Sequence, residues 1–407
     1  MSVSIWIRLS FMMMLQYWVW GAWYSYLPIY MDDTLNFTAF QGGVMMSMLY
    51  FASMIAPFIG GQIADRYMAS ERFLGISQIL GGVMMILLAG QTEYWPFLIL
   101  MFMWSMFYAP TIPLTNVICF QNLKNVERDF GWIRIWGTIG WILSGFALTY
   151  WLRLNPDGSN CMKLAGYAGV VYGVFSFCLP HTPPKKEAGK PFAFLEALKL
   201  LKNPTFLTFM IISFVVATEL QFYYYLTGPF LADLGMKTED IPAWMTLAQI
   251  AEIVSLIVLL PYVLPRAGIK MSIAIGIIAW PVRYIIFAMG GPLWLIIASL
   301  PLHGLCYVFF FIVGQIYVDK ASPKGIRNSA QALLTFVTFG MGMTLGGVFA
   351  GWIRSIFTSP GIDGGDPIVN WTYVFIVPIV LTVLCALTFL VVFREPEIED
   401  EPEAAQA

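Results

Sequence analysis

The sequence predicts an all-α membrane protein with twelve transmembrane helices, and three observations carry that expectation. Of the 407 residues, 59 % are hydrophobic and only 11 % are charged. A soluble domain carries about 25 % charged residues, so this surface cannot be covered by charge and must face lipid or another helix. Twelve separate stretches are apolar over the length that crosses a bilayer. The Lys and Arg residues crowd onto one of the two sides that those stretches define.

A helix crossing the hydrocarbon core needs about 20 mostly apolar residues. The first span, 6–31, is too long and too aromatic for a cleaved signal peptide, and no small-residue cleavage site follows it, so it is expected to stay in the protein. Spans 41–64, 73–91, 95–122, 132–152 and 163–180 follow on short loops, which set neighbours antiparallel. The connection 181–203 is longer. It opens with His181-Thr182-Pro183-Pro184-Lys185-Lys186 and ends in a Phe/Leu segment, and it reads as a linker with a short amphipathic helix lying on the membrane. Spans 204–233, 242–265, 271–290, 293–318, 329–354 and 371–394 complete the set. The connection 355–370 is rich in Gly, Pro and Asp and reads as an irregular loop, and the acidic tail from Glu395 is expected to be disordered. The chain thus divides into a six-helix bundle over 1–180, a linker over 181–203, a second bundle over 204–394 and a tail over 395–407.

Even-numbered spans place both termini on one side. Sixteen of the 22 Lys and Arg residues fall on that side, four (Arg153, Lys163, Lys237, Arg354) on the other, and Arg134 and Arg283 inside spans. Positive charge is retained in the cytoplasm, so both termini and the linker are expected there, in a bacterial inner membrane. A net charge of -2 gives no reason to expect nucleic acid as a partner. The five cysteines (Cys119, Cys161, Cys178, Cys306, Cys385) show no Cys-x-x-Cys spacing and read as small membrane hydrophobes. No metal or cofactor is called for. A membrane-bound acyl- or glycosyltransferase would need a nucleophile, base or metal cluster near a membrane face. His181 and His303 lie far apart and the loops hold no acidic metal pair, so no enzyme is expected.

Six spans, a linker and six more suggest a duplicated plan. Leu15-Gln16-Tyr17-Trp18 in the first span is echoed by Leu220-Gln221-Phe222-Tyr223 in the seventh. Gly61-Gln62-Ile63-Ala64-Asp65-Arg66 after the second span corresponds in position to Pro265-Arg266-Ala267-Gly268-Ile269-Lys270 after the eighth. Parallel halves of this kind hold a substrate at the midplane between them. An ionisable side chain at that depth costs about 2.5–3.5 kcal/mol on insertion scales, so it marks a cavity or a partner. Arg134, Glu219, Glu252 and Arg283 are such residues, with His303 a fifth. Two acids and two bases could also neutralise one another as structural pairs.

Helical spacing groups them with other polar residues. Arg134, Thr138 and Trp141 fall at i, i+4 and i+7; Gln249 and Glu252 at i and i+3; His303 and Tyr307 at i and i+4. Gln221, Tyr224 and Gly228 share a face, as do Gln16, Trp20 and Trp23. Faces that mix amides or charges with rings gain nothing from lipid. Turned inward they would line a polar pocket with aromatic walls. That suits a nucleoside, whose base stacks and whose ribose hydroxyls pair with carboxylates and amides. A sugar or another small polar solute would fit nearly as well by this argument.

The Gly61-to-Arg66 stretch resembles the signature of major facilitator superfamily carriers between their second and third helices. Several ordered motifs narrow the resemblance to the nucleoside:proton symporters of that superfamily. They are Ile133-Arg134-Ile135-Trp136-Gly137-Thr138-Ile139-Gly140, Leu15-Gln16 with Trp20-Gly21-Ala22-Trp23, Pro110-Thr111 with Asn116, Glu219-Leu220-Gln221, Gln249-Ile250-Ala251-Glu252, Ala279-Trp280 with Arg283, and Ile326-Arg327 with Ser329-Ala330-Gln331. The resemblance implies a major facilitator fold of two pseudo-symmetric six-helix bundles, and import of nucleosides by alternating access, coupled to protons, by a monomer in the lipid bilayer. It assigns substrate contacts to Arg134, Thr138, Gln221, Gln249 and Glu252, with Trp141 where the family has another aromatic. This chain departs from the pattern with Tyr224 for Asn, His303 for Tyr, Tyr307 for Phe and Val308 for Asp. The positions of Tyr224, His303 and Tyr307 join the expected site. Loss of that Asp leaves Glu252, Glu219 and His303 as candidates for the proton-coupling group, or a facilitator without coupling.

Overall fold

In lipid, a backbone without water must bond to itself, so each spanning segment is a helix. The computed structural model, described over residues 3–184, 193–361 and 367–395, is built of helices accordingly. The first half comprises α1 (Val3–Tyr24, extended by the short helix Leu27–Asp33), α2 (Ala39–Arg66), α3 (Ser70–Leu88), α4 (Tyr94–Asn122, in two pieces meeting at 109–110), α5 (Val126–Leu154) and α6 (Asn160–Ser176). The second half comprises α7 (Pro204–Asp233), α8 (from Ile241 to a bend at Gly268), α9 (from that bend to Ala288), α10 (Leu293–Ala321), α11 (Arg327–Ile356) and α12 (Trp371–Val392). Among the described residues, nine stretches are by themselves long and apolar enough to span. One of them, Thr238–Ala288, holds both α8 and α9, and α1 and the 17-residue α6 complete the twelve.

Local chemistry sets several ends. Asn125, Asn203 and Asn370 cap α5, α7 and α12 by accepting backbone N–H bonds. Gly268 takes φ +73°, which a side chain resists, and so turns α8 into α9. At the start of the linker, Glu71 accepts from Thr182 N–H at 3.0 Å and pairs with His181 Nδ1 at 2.8 Å, tying this stretch to the head of α3. The Phe/Leu segment forms a 3-10 turn, Ala193–Lys202, packed on the start of α11 and on α7. The 355–370 connection is more ordered than expected: Thr358–Ser359 pairs antiparallel with Ile368–Val369. The flanking Thr, Ile and Val favour strand. Lys185, Lys186, Lys190, the middle of that loop (362–366) and the tail beyond Glu395 lie outside the described residues. The Asp65-Arg66 stretch, read as a turn, is the last turn of α2, and only its backbone is described.

The neighbour pattern repeats with an offset of six helices. α1 packs on α5 as α7 packs on α11; α3 on α6 as α9 on α12; α2 on α4 as α8 on α10. The halves meet through α2 against α11 and α5 against α8, two contacts that the same symmetry exchanges. The α2–α11 seam is set by glycine: a Cβ on Gly43 would collide with the backbone oxygen of Gly347 and lie 3.0 Å from Cα of Gly351. The halves are further tied at the end remote from the linker, here the far end. Arg354 on α11 donates to Asp32 beyond α1. Arg153 donates to Asp240 at 2.8 Å, Ala243 N–H to Thr149 at 3.1 Å, and Tyr225 Oη to the Ala39 oxygen at 2.7 Å.

Candidate functional site

The first wall is carried by α5 and α1. Arg134, Thr138 and Trp141 stand half-buried on one stripe of α5, as their spacing requires. The Arg134 guanidinium lies over the ring of Tyr17, 4.3 Å from its centroid, a contact worth about 0.5–2 kcal/mol. Tyr17 stacks on Trp20 at 6.2 Å, and Trp20 meets Trp141 edge-on at 5.5 Å and Tyr24 at 5.9 Å. Rings thus run without a break from Arg134 to the interface between the halves.

The second wall is carried by α7, α8, α9 and α10. Tyr224 closes on the first wall, 5.2 Å from Tyr24 and 6.4 Å from Trp141. Behind it His303 joins three helices. Its Nε2 lies 3.0 Å from the Glu252 carboxylate and 3.4 Å from Tyr224 Oη, and its Nδ1 lies 3.1 Å from Arg283 Nη1. Tyr307, one turn on, stacks beside His303 at 6.0 Å. Arg283 is wholly buried in a box of rings, 4.2 Å from Tyr223, 4.7 Å from Trp280 and 5.1 Å from Tyr284. Several cation–π contacts of about 0.5–2 kcal/mol each, with the His303 bond, offset the about 2.5–3.5 kcal/mol that an arginine costs at this depth. α8 passes into a π-helical turn, Ser255–Leu259, just after Glu252, and α10 into another, Cys306–Ile312, around Tyr307. Such turns loosen the regular backbone bonding and recur at functional sites.

Of the expected site residues, Arg134, Thr138 and Trp141 share one stripe of α5, and Tyr224, Glu252, His303 and Tyr307 cluster in the second half, with Trp141 and Tyr224 meeting across the interface. Gln249 lies one turn from Glu252 on α8 and is buried. Gln221 is drawn into the scaffold: its Nε2 donates to the Met343 oxygen at 3.2 Å and its Oε1 accepts from Tyr24 at 3.4 Å. Gln16, grouped with Trp20 by spacing, donates instead to Thr111 at 3.0 Å, and Gln78 donates to both. Trp23 turns to Trp104 at 5.1 Å. Gly228 serves close approach, since a Cβ there would lie 3.2 Å from the Ser25 oxygen. Glu219 is fully buried in the second half, and neither carboxyl oxygen has a hydrogen-bond partner. Sequence reasoning passed over Tyr17, Tyr24 and Tyr223, although Tyr17, Trp20 and Tyr24 are spaced i, i+3, i+7 and could have been read as one stripe. A crevice of ≈ 400 Å³ lined by Phe40, Phe214 and Trp352 lies between α2, α7 and α11. It offers a solute with hydroxyl groups almost nothing to bond and is not the site.

Residues 1–398 match the family described as nucleoside H+ symporter. YegT of Escherichia coli K12 is 34 % identical over 406 residues, covering 96 % of this chain and 94 % of YegT. The nucleoside permease NupG of the same organism is 29 % identical over 412 residues, covering 95 % of this chain and 96 % of NupG. A crystal structure of the nucleoside transporter NupG matches with a TM-score of 0.85 at 26 % identity, covering 97 % of this chain and all of that one.

Proposed function

The chain belongs to the nucleoside H+ symporter family, and from that premise we propose that it imports nucleosides by alternating access, each binding between the two ring-lined walls and entering with protons. The observation that supports this most is the division of polar groups between the halves. Arg134 and Thr138 belong to one half, Glu252 and His303 to the other, and rings from both meet between them. A base stacks on such rings, while ribose hydroxyls bond to a carboxylate or guanidinium on either side. Glu252 is the coupling group in this reading, because among the three candidates it is the carboxylate held in the second wall, against His303. Glu219 is fully buried with neither carboxyl oxygen bonded, and His303 bonds to Glu252 directly.

The protein sits in the bacterial inner membrane as a monomer, with the halves spanning 1–180 and 204–394 and the linker side in the cytoplasm. In that orientation the ties between Asp32 and Arg354 and between Arg153 and Asp240 close the outer end. Uptake of labelled uridine, adenosine and xylose into transporter-deficient cells, with and without a proton gradient, tests the proposal. Gradient-dependent uptake of nucleosides is expected. Uptake of xylose alone would point to a sugar carrier, and nucleoside uptake indifferent to the gradient to a facilitator.

A further inference from the structure

The hydrogen bonds around His303 specify where its proton sits. Arginine has five N–H donors and no acceptor. With Arg283 Nη1 3.1 Å from His303 Nδ1, that nitrogen must present its lone pair. A neutral imidazole carries one proton, so Nε2 holds it, and Nε2 is the nitrogen 3.0 Å from the Glu252 carboxylate. Both bonds require the same tautomer. Charging the ring would set an N–H against the guanidinium and place two cations 3.1 Å apart in a buried site. Arg283 cannot easily withdraw, because Tyr223, Trp280 and Tyr284 enclose it. The other ionisable groups against the His303 ring are Tyr223 and Tyr224 on α7 and Tyr307 on its own helix, with Cys306 near Arg283; none supplies a negative charge at neutral pH to offset a second proton.

We propose that Arg283 is a positioning residue that fixes His303 in its neutral, Nε2-protonated form, so that His303 is a permanent donor to Glu252 and carries no transported proton itself. This rests on the reading of Glu252 as the coupling group. Its consequence is specific. With Nε2–H directed at one oxygen of Glu252, a transported proton binds the other oxygen. The carboxyl then changes from acceptor to donor at that oxygen alone.

Only two histidines are present, so His181→Gln leaves His303 as the sole histidine for ¹⁵N ring NMR of the labelled full-length protein. The expected spectrum has one bare nitrogen, Nδ1, and one protonated nitrogen, Nε2, unchanged from pH 5 to 8. Arg283→Met should let the ring titrate or mix tautomers in that range, and Arg283→Lys, which still donates, should keep the parent spectrum. A doubly protonated ring or an Nδ1–H tautomer in the parent overturns the proposal. So does a parent-like spectrum in Arg283→Met. Should Arg283→Met fail to fold, the parent pH series and Arg283→Lys still decide. In cells, His303→Phe should lose proton-driven accumulation and His303→Gln, which keeps one donor and one acceptor, should restore part of it. Loss in His303→Gln equal to that in His303→Phe would make the imidazole the carrier and overturn the proposal. A parent that accumulates nothing with a proton gradient would instead defeat the functional reading, while the NMR result still stands on the tautomer.

Discussion

Arg134 stands among aromatic rings with its guanidinium over Tyr17, and a bound solute would gain a charged hydrogen bond from it. Such a bond is worth about 1.5–3 kcal/mol, so Arg134→Ala should lower nucleoside uptake by roughly tenfold to a hundredfold with expression still measurable. Unchanged uptake by that variant would remove Arg134 from the site. Tyr224 touches both Tyr24 and Trp141 across the interface, so Tyr224→Asn should reorder nucleosides in a competition assay. An unaltered ranking would place Tyr224 away from the ligand. Glu252→Gln keeps the shape of the carboxyl and removes its proton chemistry. Uphill accumulation should vanish while exchange of labelled for unlabelled nucleoside survives in part, and accumulation that stays sensitive to a protonophore would clear Glu252 of coupling. At this scale, what the sequence revealed was ionisation at depth: Arg134, Glu252, Arg283 and His303 were conspicuous because lipid forbids them. It could not reveal which neighbour an amide meets. Gln221 and Gln16 share helix faces with pocket residues, yet Met343 and Thr111 stand where their amides point.

Among the elements, all twelve spans were readable, because each needs its own apolar run. Their ends shifted by a few residues; α2 continues to Arg66 where a turn was expected. The π-helical turns Ser255–Leu259, Cys306–Ile312 and Phe336–Gly342 left no mark in sequences that are plainly apolar, since the extra residue is accommodated by packing rather than by a particular side chain. The α2–α11 seam is easier to disturb. Valine at Gly43 would press on the backbone of Gly347 and Gly351, and overpacking of this kind costs about 1–3 kcal/mol. Gly43→Val should therefore separate α2 from α11 at the far end, measurable as a longer distance between spin labels placed on the two helices, with slower transport. Labels that keep the parent distance would mean the seam can absorb a side chain.

For the whole molecule, the sequence foretold two matched halves but not which end is shut. Closure depends on contacts between residues far apart in the chain, 87 positions for Arg153 with Asp240 and 322 for Asp32 with Arg354, and the sequence marks Arg354 only as a charge on the far side. Around that pair Arg354 also lies 5.3 Å from the Trp371 ring, whose indole N–H donates to Asp233 at 2.7 Å. Asp32→Asn would strand a largely buried guanidinium, at a cost of about 3 kcal/mol. The far end should then open in a much larger share of molecules, seen as faster thiol labelling of a cysteine introduced beneath the pair; a labelling rate equal to the parent's would show that the other ties suffice. The split of Arg134 and Glu252 between opposite halves carries a last consequence. A solute held as proposed would be a strut between the halves, so selection would act on reach as well as on chemistry. A free base or a free ribose engages one wall and leaves the two uncoupled. Such fragments should compete for occupancy yet ride through poorly, stalling the cycle where a whole nucleoside completes it.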